Sequence, residues 1–235
     1  RPTVPLPEPA PARFWMRYAA WSLDAVCLLP LIALLGASPL QRAMTNAVVS
    51  FKQLSASMSQ LMERALAQGQ SPLALALSSA SDPRLLAGID RLESAIFTLL
   101  LLPPALYALL ACVYSLGFES AHWQATPGKR ALGLRVVRVD GGAMTLGVAM
   151  QRFLATGLSW ISLNLGHAMA AFAPYLALHD RLSRTRVLAD SGVLPTWAKA
   201  WLCAQLVAGL FACLWLFLWM QSAMQAALDN ALGGM

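Results

Sequence analysis

The sequence predicts an all-α integral membrane protein of about five membrane segments, two of them a short hairpin, with a small cytoplasmic two-strand element. Three observations lead there. Of 235 residues, 58% are hydrophobic and 12% charged, against about 25% charged in an ordinary globular domain. Apolar runs near the roughly 20 residues that a helix needs to cross the hydrocarbon core fall at 92–116 and 199–220, and 14–36 is as long although Arg17 and Asp24 lie inside it. The basic residues collect in the short connections, as membrane orientation distributes them. The net charge of +6 therefore speaks for topology, and nucleic acid is not expected as a partner.

Taken in order, residues 1–13 form a proline-rich tail, an extended linker with no apolar central region that would make it a signal peptide. Arg1, Arg13 and Arg17 place it in the cytoplasm. The first span then runs outward over 14–36, with Pro30 bending it. An outer insertion follows at about 37–91, in which Leu40, Met44, Val48, Phe51, Leu54 and Met58 recur at three-to-four-residue spacing. That is an amphipathic helix seeking the membrane interface, the protein's own helices or another subunit. Ser81 or Asp82 is placed to cap the next helix, with Pro83 at its first position. This second span returns inward by 116, and Pro103 and Pro104 interrupt it either as a packing kink or as a broken helix lining a site.

Residues 146–178 are too long for one span. A single crossing would also leave Arg181, Arg184, Arg186 and Lys199 outside, against the charge rule. A hairpin removes the conflict: one arm over about 145–160, a turn through Ser162, Asn164 and Gly166, and a second arm to about 178. Each arm is short enough to be tilted, interfacial or re-entrant. The membrane domain so defined covers 14–198. An additional helix at 199–220 and a tail at 221–235 without lysine or arginine complete the chain, the tail on the outer side. Cys27, Cys112, Cys203 and Cys213 all fall within predicted spans, as core or lipid-facing thiols, and neither a metal nor a cofactor is expected.

The stretch QATPGKRALGLRVVRVDGG at 124–142 is polar and basic amid these runs, and Gly128-Lys129 invites a phosphate-loop reading. That motif needs a glycine where Trp123 stands and a serine or threonine where Arg130 stands, so the match fails at both ends. Thr126-Pro127-Gly128-Lys129 instead suits a type II turn. Residues 134–138 read as a strand able to pair with a second one beginning at Thr185. A ribbon of two strands is marginal alone, so each stretch needs the other.

Arg17 and Asp24 are seven residues apart, which puts them on one helix face with Trp21 between them, about 10 Å apart along the axis. A charge at mid-helix costs roughly 2.5 to 3.5 kcal/mol on insertion scales. Asp24 therefore needs a partner, and Arg152 is the candidate. Such a pair either fixes helix orientation or belongs to a cation or proton path. His122 and His179 lie at membrane boundaries, and His167 in the hairpin reads as a helix-to-helix hydrogen-bonding residue. His179 and Asp180 have no serine or cysteine nucleophile in a recognisable setting, so no enzyme is expected. Asp180 is expected to order the basic turn, accepting from Arg181, Arg184 or Lys129.

Together RYAAWSLD at 17–24, QATPGKRALGLRVV at 124–137, Arg152, and LHDRLSRTRVL at 178–188 make a pattern that resembles the RDD family of polytopic membrane proteins. The resemblance implies that its defining arginine and two aspartates correspond to Arg17, Asp24 and Asp180. It further implies a multi-pass protein of the bacterial inner membrane, with a cytoplasmic N-terminus and a supposed role in transport of an unidentified ligand. The leading expectation is cation or proton exchange with Asp24 as the titratable site, Arg17 and Arg152 tuning it, and Asp180 at the cytoplasmic mouth beside Thr126, Pro127, Gly128, Lys129 and His179. The alternative is a non-transporting anchor or assembly subunit. Beyond the lipid bilayer, it would meet a protein partner through 40–68 or through the basic cytoplasmic surface.

Overall fold

The computed structural model describes residues 10–232; residues 1–9 of the proline-rich tail and 233–235 lie outside the described residues. The chain is mostly helical, and three helices are long and apolar enough to cross a membrane. Helix α1 spans Phe14–Ala67 and α2 spans Pro72–Ser81. Helix α3 spans Pro83–Ser120, α4 spans Pro127–Ala131, α5 spans Leu146–Ile161 and α6 spans Leu165–Ala168. Helix α7 spans Leu178–Leu182 and α8 spans Thr196–Leu232. Strands β1 (Ala10–Pro11), β2 (Leu134–Arg138) and β3 (Thr185–Ala189) complete the elements.

The chain folds as two compact units: the residues up to Asp24 together with those from Ser115 onward, and Ala25–Tyr114. In the second unit α1 and α3 lie against each other. A Cβ on Gly88 would sit 2.8 Å from a Leu54 methyl carbon, so the two helices approach closely there. The helices keep large apolar side chains such as Phe51, Leu100 and Val113 exposed, a surface suited to lipid and not to water.

The sheet belongs to the first unit and has the order β1-β3-β2, antiparallel throughout. Leu134 faces Ala189 and Arg138 faces Thr185, so the expected pairing of the two valine-rich stretches is present. The alternation is that of a half-buried strand: Leu134, Val136, Thr185, Val187 and Ala189 are buried, while Arg135 and Arg186 point outward. A third strand was not expected. Residues 10–11 of the proline-rich tail pair with Ala189 and Leu188, and Pro11 is tolerated because β1 is an edge. On the far side the Gln124 carbonyl accepts the Val136 N–H at 2.7 Å, which covers the free edge of β2.

Several expectations need correction. Helix α1 does not end near residue 36 but continues through Pro30 and Pro39 to Ala67, so no boundary separates the first span from the amphipathic insertion. Likewise α3 runs on through Pro103 and Pro104. Thr126-Pro127-Gly128-Lys129 is not a type II turn. Thr126 is the N-cap of α4, its hydroxyl accepting the Lys129 N–H, and Pro127 takes the first helical position, where its missing N–H costs nothing. The hairpin lacks its second helical arm, because after α5 the chain makes only α6, a short 3₁₀ turn at Met169–Ala171 and an irregular return. Among the described residues three helices are thus long and apolar enough to cross. Asp82 does cap α3, accepting the Arg84 N–H at 2.7 Å.

Candidate functional site

The site grows from the first turn of α1. Around it Ala12, Ala19 and Ala20 are fully buried and Met16 nearly so, and the Ala12 N–H donates to the Val187 carbonyl of β3 at 2.9 Å. Arg17 is thereby held against the irregular return and α7. Its Nε donates to the Ala12 carbonyl at 2.9 Å, its Nη2 to the Tyr175 carbonyl at 2.8 Å, and its Nη1 pairs with Asp180. Every nitrogen of this guanidinium has an acceptor, which is what an arginine taken out of water requires.

Asp180 has no exposed surface. One carboxylate oxygen meets Arg17 and also accepts the Ala177 N–H at 2.9 Å, capping α7, and the other meets Arg152. Arg152 projects from the buried face of α5, alongside Ala149, Ala155 and Ser159. It reaches Thr185 on β3 at 2.6 Å and Glu119 at the end of α3 at 3.4 Å. Glu119 also holds Lys129 of α4. The five groups form a continuous chain, Arg17 to Asp180 to Arg152 to Glu119 to Lys129, that joins α1, α7, α5, α3 and α4.

Asp24 makes a second cluster. Its two oxygens accept the Gly128 N–H at 2.7 Å and the Thr126 hydroxyl at 2.5 Å, so the start of α4 sits on its carboxylate. A Cβ on Gly128 would overlap the Ala20 carbonyl and come within 2.8 Å of the Asp24 carboxylate. Two neutral donors, a backbone N–H and a hydroxyl, thus meet this carboxylate near the start of α1. The expected Asp24 to Arg152 pair does not form: Arg152 faces Asp180 and Glu119 instead. Asp180 in turn accepts from Arg17 and Arg152, and not from Arg181, Arg184 or Lys129 as expected.

A model of the RDD family matches residues 11–229. The chain belongs to the RDD family. The match runs through the segment 37–91 and through α8, both of which look like additions when only the short motifs are compared. A relative in Bacillus subtilis (strain 168), "Uncharacterized protein YxaI", is 37% identical over 92 residues, covering 39% of this chain and 61% of the relative. The RDD protein described here thus spans less than two thirds of that relative's length. No solved structure matches the chain.

In this RDD protein Arg17 and Asp180 touch each other, and Asp24 binds Thr126 and Gly128 at the start of α4. Glu119 is the participant that sequence reading missed. It lies at the end of an apolar helix, 4% exposed, and a carboxylate there, ten residues before Lys129, was the available signal. Helix α8 is joined through polar contacts as well, since Trp201 and Gln205 both donate to Ser22 of α1, at 3.0 and 2.9 Å. Among the described residues no three His, Cys, Asp or Glu side chains converge in a way that could hold a metal ion.

Burial alone would push the Asp180 carboxyl up, but the guanidiniums of Arg152 and Arg17 outweigh it and hold the group well below the usual carboxylate range. His179 packs beside it, with its ring 5.2 Å from that of His167 and its Nε2 3.5 Å from Asp180. Burial first, and then the positive charge of Arg152, push its imidazole well below the ordinary histidine value. His179 and His167 each keep a buried Nδ1 without a hydrogen-bond partner, so His167 does not tie helices together through that atom.

Three outcomes follow from this geometry. Gly128→Ala should cost about 1–3 kcal/mol through overpacking against α1, read as a lowered unfolding midpoint in detergent. Gly157→Ala, where the added methyl meets nothing within 4 Å, should be neutral or gain up to about 1 kcal/mol from helix propensity. His179 has a folded pKa below its unfolded value of about 6.5, so its neutral form contributes stability above that pH, and the contribution falls as pH drops below it. His179→Gln should accordingly flatten the decline of the unfolding midpoint between pH 7 and pH 5.

Proposed function

We propose that this RDD protein is a non-transporting membrane anchor or assembly subunit, in which the signature residues hold the membrane helices to one small sheet. The observation that supports this most is the state of the two aspartates. Asp24 is 8% exposed with both oxygens taken by donors from α4, and Asp180 is closed between two guanidiniums. An ion path needs a carboxylate that water can reach and whose partners can leave. Among their partners here are a backbone N–H, a hydroxyl and paired arginines, which serve packing.

The orientation follows from charge. Helix α1 begins at the sheet, α3 ends shortly before it and α8 begins shortly after it, and Arg13, Arg130, Arg135, Arg181, Arg184 and Arg186 surround this region. By the positive-inside rule the sheet is cytoplasmic. The N-terminus is then cytoplasmic as well, in the inner membrane of a bacterium, and the end of α8 is outside. A protein partner is offered the exposed methionines and Phe51 of the distal half of α1, beside a shallow groove lined by Leu54, Met58, Met62 and Leu92.

Cation or proton exchange is the second reading. It is favoured by His179 Nδ1, beside Asp180, and by His167 Nδ1 and Ser159 Oγ, all buried without hydrogen-bond partners. Purified protein in proteoliposomes separates the two. The anchor reading expects no pH-dependent cation flux from wild type, and a loss of about 1–3 kcal/mol of stability in Asp24→Asn from the disturbed hydrogen bonds. Wild-type flux that Asp24→Asn abolishes, with folding retained, would establish transport instead.

A further inference from the structure

Residues 139–184 leave the sheet at Arg138 and return to it at Thr185, and these two residues are direct cross-strand partners. Whatever the segment does, it starts and finishes at the same side of the membrane. It must therefore cross twice or not at all. Its one long helix, α5, has 16 residues and a length of about 24 Å, short of the roughly 30 Å hydrocarbon core. The return leg holds only a four-residue helix and a three-residue 3₁₀ turn, so it has no helix with which to cross back.

The segment is nevertheless built for hydrocarbon. From Phe153 to Leu178 it contains no Asp, Glu, Lys or Arg. One face of α5 is closed around Arg152, while Leu146, Met150, Leu154, Leu158 and Ile161 form an exposed stripe along the other. The stripe continues past the helix into Leu163, 87% exposed, and Leu165 and Phe172. Large apolar side chains at the outermost positions of a turn are the reverse of what water favours.

Irregular backbone is tolerated at membrane depth only where it is buried in protein or lines a water-filled cavity. Gly166 and Ala170 of this segment are buried, and several of its backbone N–H groups have acceptors within it. The N–H groups of Ser162, Leu163 and Asn164 donate to Leu158, Trp160 and Ser159, and those of His167 and Ala168 both donate to Asn164. On the way back, Phe172 donates to Met169 and Tyr175 to Phe172. The return leg also packs directly on α5, since a Cβ on Gly166 would overlap Ser159.

We propose that residues 145–177 form a re-entrant element, with the exposed stripe of α5 and the turn after it seated among the acyl chains of the leaflet next to the sheet, without crossing. The occupant of this apolar face is phospholipid, and α1, α3 and α8 remain the three crossings.

Spin labels placed in the full chain with its four native cysteines replaced, reconstituted into vesicles of phosphatidylcholine and phosphatidylglycerol, test this. A label at Leu163→Cys should be relaxed by oxygen and lose nearly all relaxation by a water-soluble nickel chelate, whereas one at the exposed Val139→Cys should respond to nickel. Nickel access at 163 would put the turn in water. Protection from both reagents would mean that protein covers it, and labelling of 163 by an impermeant maleimide from the side opposite 139 would mean that the segment crosses. Each of these three results overturns the proposal. In the chain with native cysteines, benzoylphenylalanine at position 163 should cross-link to phospholipid, and cross-linking to protein instead would contradict it.

Discussion

The buried carboxylate of Asp180 is the constraint on which the rest of this structure depends. A single charge removed from water costs several kcal/mol even after the protein relaxes, and Asp180 recovers it only because two guanidiniums and a backbone N–H converge on its two oxygens. Each guanidinium is in turn fixed elsewhere, Arg17 by the Ala12 and Tyr175 carbonyls and Arg152 by Thr185 and Glu119. Shifting α1, α5 or the return leg would strand a buried charge. The small sheet and the helix ends are thus held in one arrangement by groups that tolerate no partial contact.

Asp24 extends the same logic further along α1. With Thr126 and Gly128 on its oxygens it fastens α4, and α4 carries Lys129 back to Glu119. The T-P-G-K motif has its composition for local reasons: threonine caps, proline opens the turn, glycine leaves room for the α1 backbone, and lysine closes the ion-pair chain. The two halves of the RDD signature are two ends of one clamp. The start of α1, the end of α3, α4, α5 and α7 are thereby tied to one another by buried polar contacts within the first unit.

Much of this was legible in the sequence. Composition and the apolar runs led to the membrane-length helices, and the valine alternation at 134–138 and from Thr185 led to the paired strands. Cap residues located the start of α3 at Pro83. What could not be read was which charge meets which. Asp24 and Arg152 are an intuitive pair when both are counted as membrane charges, but backbone and hydroxyl donors leave no mark in a charge count, and so Gly128 and Thr126 were overlooked as its partners. The second arm of the hairpin was expected as a helix because apolar composition suits a helix and an irregular return equally; the chain after α5 makes only short helical turns. Strand β1 was missed because proline suggests linker, although it is equally suited to a sheet edge.

The central claim, that the signature arginine and second aspartate act as one structural clamp, is tested most directly by a double-mutant cycle on Arg17→Gln and Asp180→Asn, with unfolding free energy in detergent as the readout. The account predicts that each single variant loses about 3–5 kcal/mol, because a buried charge is left without its partner, and that the double variant loses little more than one single. Losses that add to within about 0.5 kcal/mol would show that the two residues act independently and would contradict the clamp.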